Sequence, residues 1–372
     1  ITIMHDGVDV TANYNVLVSD TSKLIITKRD LTVKVKDTTK IYDGTALVPE
    51  YYEIVAGELA TGDAISNVTY SGTQTAVGTS TSSFSQIRIV RGGNDVDVSS
   101  LCYNLVLNDG VLTVTPKAVT VTANPKEKVY GASDPTLTAA VTGLLGSDAV
   151  TYTLSRAAGE AVGKYAITPT GAATQGNYAV TYVEDSLTIT KAVLTVTADD
   201  KTKMYGEVDP ELTTTISGLV NGDDESTIRT ALGITTSRVA GDNVGSYTIT
   251  ADGAAEIDNY TVTYVPGTLT ITPRTPVAVT IQAHGAEYEY DGTLKTVTGY
   301  SVSVSDPLYL ESYITFSGTA TASGMGSETA LTTYPMTLQA SDFANNNDNF
   351  TGVTFTVLDS ALYIYPKLKA EV

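Results

Sequence analysis

Residues 177–191 read Asn-Tyr-Ala-Val-Thr-Tyr-Val-Glu-Asp-Ser-Leu-Thr-Ile-Thr-Lys, and this stretch decides the fold. Its last part, Leu187-Thr-Ile-Thr-Lys191, alternates apolar residues with Thr, the period-two pattern of a strand with one buried face. The same phrase returns as Leu24-Ile-Ile-Thr-Lys28, Leu112-Thr-Val-Thr-Pro-Lys117, Leu269-Thr-Ile-Thr-Pro273 and Leu362-Tyr-Ile-Tyr-Pro-Lys367. Upstream of each copy an aromatic stands beside Asn: Asn13-Tyr14, Tyr103-Asn104, Asn177-Tyr178, Asn259-Tyr260 and Asn349-Phe350. Turn residues such as Glu184-Asp185-Ser186 and Pro266-Gly267 separate the two, so each pair predicts a closing β-hairpin.

A second phrase opens each full unit, at Tyr42-Asp43-Gly44-Thr45, Tyr130-Gly131, Tyr205-Gly206 and Tyr290-Asp291-Gly292-Thr293. In the middle two, Asp134-Pro135 and Asp209-Pro210 follow at matching offsets. A third phrase lies mid-unit, at Val77-Gly78, Val162-Gly163-Lys164-Tyr165 and Val244-Gly245-Ser246-Tyr247, with Gly324-Met325-Gly326 read as its fourth member. Landmarks recurring in one order are the signature of tandem repeats. Residues 1–29 then carry the C-terminal hairpin of a preceding, truncated repeat, expected to be disordered or docked on a neighbour. Full repeats run over 30–117, 118–191, 192–273 and 274–372. Repeat two ends at Thr190-Lys191 and repeat three starts at Ala192 with no Gly/Ser spacer, so short joints and a stiff array are expected. Only Pro273-Arg274-Thr275-Pro276 reads as a distinct, proline-stiffened connector.

Composition agrees with strands. The 372 residues include 23 Tyr, five Phe, no Trp and 31 Gly, and β-branched and aromatic side chains suit a pleated, half-buried surface. A formal charge of −19 repels phosphate backbones and anionic lipid, which excludes nucleic acid and membrane contact by this segment. One cysteine, Cys102, excludes a disulfide within the chain. No apolar run approaches the roughly 18 residues that span a bilayer, so a secretion signal or wall anchor is expected outside this stretch. Helix signals are few. Asp223–Leu232, with its acidic start and Gly233 behind it, predicts two or three turns, and Glu58–Ile65 and Gly146–Val150 predict single turns.

The phrases Lys40–Thr45, Val129–Thr138 and Asn177–Lys191 together resemble MBG-type repeats, the YDG and YGX varieties found in tandem arrays of bacterial surface and adhesin-like proteins. Repeats one and four resemble the YDG form, and two and three the YGX form. Departures are Cys102 beside Tyr103, Phe350 in place of Tyr, and an expanded Asn345–Asn349 loop. The resemblance implies an extracellular, bacterial-surface setting and no catalytic motif.

Residue by residue, no catalytic site is read. Only His5 and His284 could serve as imidazole bases, and they lie in different repeats. Metal is not assigned either. Calcium stays open because Asp6-Gly7-Val8-Asp9 and Asn94-Asp95-Val96-Asp97 each offer two carboxylates, but neither has the spacing of a calcium loop. The acidic clusters Asp95, Asp97 and Asp223-Asp224-Glu225 read as solvated turns. Tyr42, Tyr130 and Tyr205 recur at equivalent positions, which a core role explains better than sugar stacking. Tyr51-Tyr52 and Glu287-Tyr288-Glu289-Tyr290 do not recur, so they are the better recognition candidates, weighed against plain strand edges. A Lys–Asn or Lys–Asp isopeptide staple stays open, with no triad named.

The fold read from the sequence is all-β: tandem small Ig-like β-sandwich domains, with β-grasp-like domains carrying one short helix as the alternative. With strands rising about 3.3 Å per residue, four repeats would exceed about 100 Å end to end. The expected role is a monomeric stalk that projects a distal binding region, its partners being the neighbouring repeats. The alternative is an adhesin whose own domains bind host glycan or protein through residues 274–372.

Overall fold

The fold was taken from a computed structural model, which describes residues 2–5, 7–9, 11, 14–18, 24–92 and 96–367. The chain divides into two compact units, Ile1–Thr190 and Lys191–Val372.

Within the first unit, residues 117–190 build two four-stranded sheets. Lys117–Ala123 lies between Ala139–Thr142 and Tyr178–Val183, with Thr174–Gln175 outermost. In the second sheet Asp185–Thr190 lies between Lys126–Val129 and Gly163–Thr170, with Thr153–Arg156 outermost. The opening strand therefore bends at Asn124-Pro125 and the closing strand at Glu184, and each runs through both sheets. The two stay parallel throughout, Val119 opposite Val180 and Lys126 opposite Leu187. Proline lacks the N–H that a continued ladder needs, which suits the break at Pro125.

This arrangement corrects the closing-hairpin expectation. In all four full repeats the Asn–aromatic strand and the Leu-Thr-Ile-Thr strand sit in different sheets, each paired in parallel with a segment of the opening strand. One linking residue, such as Glu184 or Pro266, cannot reverse the chain as a two-residue hairpin turn does, but it can pass the strand from one sheet to the other. A hairpin does form before repeat one, where Tyr14–Val18 pairs antiparallel with Leu24–Val35. That 12-residue strand continues without interruption into repeat one.

Residues 192–272 of the second unit repeat the plan strand for strand. In repeat four Val277–Ala283 lies between Tyr300–Val304 and Val353–Leu358, and Ala361–Tyr365 between Ala286–Glu289 and Thr332–Pro335. Repeat one widens its second sheet with the long pair Asp63–Ser71 and Gly78–Arg91. The alternation read from the sequence points inward: Leu112, Val114, Leu187, Ile189, Leu269, Ile271, Leu362 and Ile364 are all buried. Two main sheets per repeat are the sandwich architecture, to which repeat four adds the two-stranded ribbons Lys295–Thr298 with Thr321–Gly324 and Ile314–Phe316 with Phe343–Asn345. Among the described residues no β-grasp sheet with a helix across it forms.

Helix is confined to short pieces. Glu225–Leu232 is capped by Asp224, whose carboxylate accepts the Thr227 N–H, and ends at left-handed Gly233. The turns expected at Glu58–Ile65 and Gly146–Val150 are not helical. The first closes a turn and enters a strand at Asp63, and the second is a turn alone. A four-residue helix that the sequence did not announce, Ser99–Cys102, buries Cys102.

The third landmark also needs correction. Gly78, Gly163 and Gly245 pair with Val114, Ile189 and Ile271, and the residue at that register in repeat four is Thr332, opposite Ile364. Leu331-Thr332 is thus the fourth member, not Gly324-Met325-Gly326. Gly324 instead lies under the Tyr334 ring, as Gly159 and Gly241 lie under Tyr165 and Tyr247.

Candidate functional site at the joints between repeats

Three of the Asn–aromatic tyrosines close the same small network. The Tyr103 hydroxyl donates to Asp63 Oδ2 at 2.7 Å and accepts the Ala60 N–H at 2.9 Å. Tyr178 donates to Asp148 at 2.5 Å and accepts from Leu145, and Tyr260 donates to Asp223 at 2.6 Å and accepts from Val220. In each case the Asp N–H bonds back three residues, closing a turn on the carbonyl of the residue that donates to Tyr. Asp63 is further clamped by Arg91, Nε to Oδ1 at 2.8 Å. Burial, with the Asp63 carboxylate beside it, pushes the Tyr103 hydroxyl up to about 12. The sequence signal for this network was Gly62-Asp63, Gly146-Ser147-Asp148 and Gly222-Asp223, the first two lying in stretches expected to be single helical turns and Asp223 in an acidic cluster expected to be a solvated turn. Asp223 is therefore a hydrogen-bond acceptor for a buried tyrosine rather than a solvated loop residue.

Phe350 has no hydroxyl, and repeat four substitutes a different network. Tyr309, fully buried, stacks edge-on to Phe350 at 5.1 Å and donates to Asn345 Oδ1 at 3.2 Å. Asn345 in turn donates to the carbonyls of Asn347 and Phe350. The expanded Asn loop thus satisfies itself around the position where the other repeats use Tyr–Asp.

The residue before the aromatic reaches into the preceding repeat. Within the first unit the Asn177 side-chain oxygen accepts the Val77 N–H at 2.8 Å. The Tyr42 ring meets Tyr178 edge-on at 5.8 Å, and Gly44 faces Leu145. Within the second unit Asn349 accepts the Val244 N–H at 2.7 Å and donates to Asn243 Oδ1 at 3.0 Å. There Tyr205 meets Phe350 at 5.4 Å, Gly206 faces Leu308, and Arg274 donates to the Tyr205 carbonyl while pairing with Asp306. All three sequence landmarks, Tyr-Gly, Val-Gly and Asn–aromatic, converge at one joint. Tyr42 packs against the core of repeat two and Tyr205 against that of repeat four, so neighbouring cores touch rather than stand apart. The core role expected of Tyr42, Tyr130 and Tyr205 holds for buried Tyr130, and for the other two it extends across the joint.

Asp134 and Asp209, at matching offsets in repeats two and three, each make an ion-pair cluster inside their repeat. Lys128, almost fully buried, donates to Asp134 at 2.7 Å and to Glu160 at 2.5 Å, and Arg156 pairs with both carboxylates. Lys203, Asp209, Arg238 and Asp242 repeat this in the next domain, without a carboxylate bonding Lys203 at the place of Glu160. The Arg238 and Lys203 hydrogen bonds hold Asp209 at about 2. Both arginines lie over the landmark tyrosines, Tyr165 at 5.7 Å and Tyr247 at 5.6 Å. Lys128, Asp134 and Glu160 are the residue types of an isopeptide triad. Condensation needs a neutral amine and a protonated carboxyl, whereas here the Lys is held up and both carboxylates down by their mutual bonds and Arg156. Repeats one and four use Asp43 and Asp291 locally instead, each accepting from the following Thr and a nearby Lys.

Other candidates are placed as follows. The Glu287-Tyr288-Glu289 segment is an edge strand with Lys295 over the Tyr288 ring at 5.4 Å, and Tyr52 opens an edge strand that pairs with Leu24–Val35. His284 Nδ1 lies 3.0 Å from the Thr298 carbonyl, and the His5 side chain lies outside the described residues. Asp6, Asn94 and Asp95 also lie outside them, while Asp97 pairs with Arg88. Among the described residues no three His, Cys, Asp or Glu side chains gather as a metal site. The described part of the leading segment docks on repeat one: Tyr14 donates to the Leu101 carbonyl at 3.0 Å and Arg91 to the Asp9 carbonyl at 2.6 Å. An open cleft of about 470 Å³ at the joint of repeats three and four is lined by Asn243, Tyr313, Asn346 and Asp348 among others.

Fold and joints define a tandem β-sandwich repeat protein. Residues 119–188 and 194–270 match the family of the MBG domain (YGX type), and repeats two and three are MBG domains of that type. The outer two repeats lie outside the matched residues. No curated protein matches the chain. Among solved structures, the chain is similar to Drosophila N-cadherin EC1-4 at 9% identity, covering 78% of this chain and 84% of that one, with a TM-score of 0.21. Sidekick-1 immunoglobulin domains 1–5 are similar at 7% identity over 89% and 77%, with a TM-score of 0.19. Among the described residues no helix is long and apolar enough to cross a membrane.

Proposed function

We propose that this chain is a non-enzymatic spacer of a bacterial surface protein, its domains bounded near residues 30–117, 118–191, 192–273 and 274–372, the outer two being MBG domains of the YDG kind. The observation that carries the reading is the joint. A closing strand passes into the next opening strand with at most a few residues between, and a buried or half-buried Asn and aromatic pair fixes the next domain on the Tyr-Gly turn. Such joints suit a segment that holds a distal binding region away from an envelope. Its partners are then its own neighbouring repeats, and its setting is extracellular. Small-angle scattering of the whole chain tests this: an extended monomer longer than about 100 Å is expected, and a compact globule or a dimer overturns it.

A second reading is adhesion to host glycan through repeat four. The cleft beside the Asn loop favours it, since the Asn346 and Asp348 side chains are exposed there beside the Tyr313 ring. Glycan-array binding that an Asn346→Ala, Asp348→Ala double variant abolishes would support it, and an array with no hits removes it.

A further inference from the structure

We infer that the Tyr290–Gly292 end of repeat four is an unfilled joint, which seats another repeat of this kind through that repeat's Asn–aromatic pair. The inference rests on joint geometry and stands whether or not the chain is a spacer.

Register identifies the parts. Leu331 stands where Val77 and Val244 stand, one residue before the partner of the Leu-Thr-Ile-Thr strand's third residue. In the two described joints that residue's N–H is taken by the next repeat's Asn oxygen, at 2.8 and 2.7 Å. Among the described residues nothing accepts the Leu331 N–H. Leu331 is 52% exposed, while Val77 and Val244 are half-buried. Tyr290 holds the place of Tyr42 and Tyr205, with its N–H bonded to the closing strand in the same way. Gly292 has the left-handed φ of +78° that Gly44 and Gly206 share at +82° and +80°. Met325 and Leu294, flanking the Lys295–Gly324 pair, are 52% and 64% exposed. The surface is thus an amide donor, an aromatic ring and an apolar rim, and its complement is the Asn–Tyr or Asn–Phe pair with a Leu beside it.

A second copy of this chain does not supply that complement at its first repeat. Cys102 replaces the Asn there, and the Tyr14 hydroxyl already bonds the Leu101 carbonyl. The occupant is therefore a repeat that carries the Asn.

The junction for a test is native. Tyr365-Pro366-Lys367 corresponds to Thr115-Pro116-Lys117, so a copy of residues 118–191 can be grafted directly after Lys367. Amide hydrogen exchange is read at Leu331 in the full chain with and without the graft. Exchange is expected to slow at least about tenfold with it. Replacing the appended copy's equivalent of Asn177 by Ala should abolish the slowing while that copy's core amides stay protected. A graft of residues 192–273, acting through its Asn259, should give the same result. A folded graft that leaves Leu331 exchange unchanged overturns the inference. So does the ungrafted chain forming a dimer in which Leu331 is protected.

Discussion

Asn177 and Val77, 100 residues apart in the chain, meet in one hydrogen bond of 2.8 Å that fixes the second repeat on the first. Asn349 and Val244 make the same bond at 2.7 Å in the second unit. A joint that recurs with its partners in register is a repeated device, and it is the part of the molecule most open to a mutational test.

Asn349→Ala removes the acceptor of the Val244 N–H and the donor to Asn243. Because the Asn is buried, the loss is expected at about 1–3 kcal/mol. Urea unfolding of the whole chain and faster exchange of the Val244 amide check it. Unchanged exchange at Val244 would show that the bond does not hold the joint.

Tyr260→Phe leaves the Asp223 carboxylate and the Val220 N–H without the hydroxyl that joins them. About 1–2 kcal/mol of destabilisation is expected, since the ring itself stays packed. Tyr178→Phe should match it. The native Phe350 is not an exception, because repeat four puts the Tyr309–Asn345 bond there instead.

Asp209 bears on pH dependence. Its folded-state carboxyl is held at about 2, first by Arg238 and then by Lys203, below an unfolded value near 3.9. A depressed carboxylate contributes stability above the unfolded value and loses it as pH falls. The thermal midpoint of the second unit is therefore expected to drop as pH goes from about 4 to about 2. In Asp209→Asn the unit should start lower and show less of that drop, and an identical pH profile would exclude the cluster.

Gly206 and Gly44 separate two costs. Both have a left-handed φ, but a Cβ at Gly206 would lie 2.3 Å from Leu308 Cδ1, whereas at Gly44 the nearest atom is 3.9 Å away. Gly44→Ala is expected to cost about 1 kcal/mol, for the backbone alone. Gly206→Ala should cost more, and Leu308→Ala in that background should narrow the gap. Equal costs at the two sites would show that Leu308 swings aside freely.

Lys128 lies 2.7 Å from Asp134, close enough for an amide to form if charge allowed it. With both groups ionised, the intact mass of the folded protein is expected to equal that of the unmodified sequence. A deficit of one water that maps to a Lys128–Asp134 cross-link would overturn that reasoning.

Much of the architecture was legible one residue at a time. Alternating Leu-Thr-Ile-Thr runs are local patterns, and the faces they bury are the faces they predict. The short helix, read as Asp223–Leu232 with Gly233 behind it and found at Glu225–Leu232, was legible for the same reason, since an acidic start and a terminal glycine act on their own first or last turn. What could not be read was which strand lies beside which. A one-residue link such as Glu184 is compatible with a turn or with a change of sheet, and only the opening strand, about 60 residues earlier, decides between them by pairing in parallel. The Tyr–Asp networks, the true fourth member of the Val-Gly series and the joint itself belong to this second kind. Each depends on groups brought together across tens of residues, and burial of a hydroxyl or an amide is a property of the packed chain that no local spacing encodes.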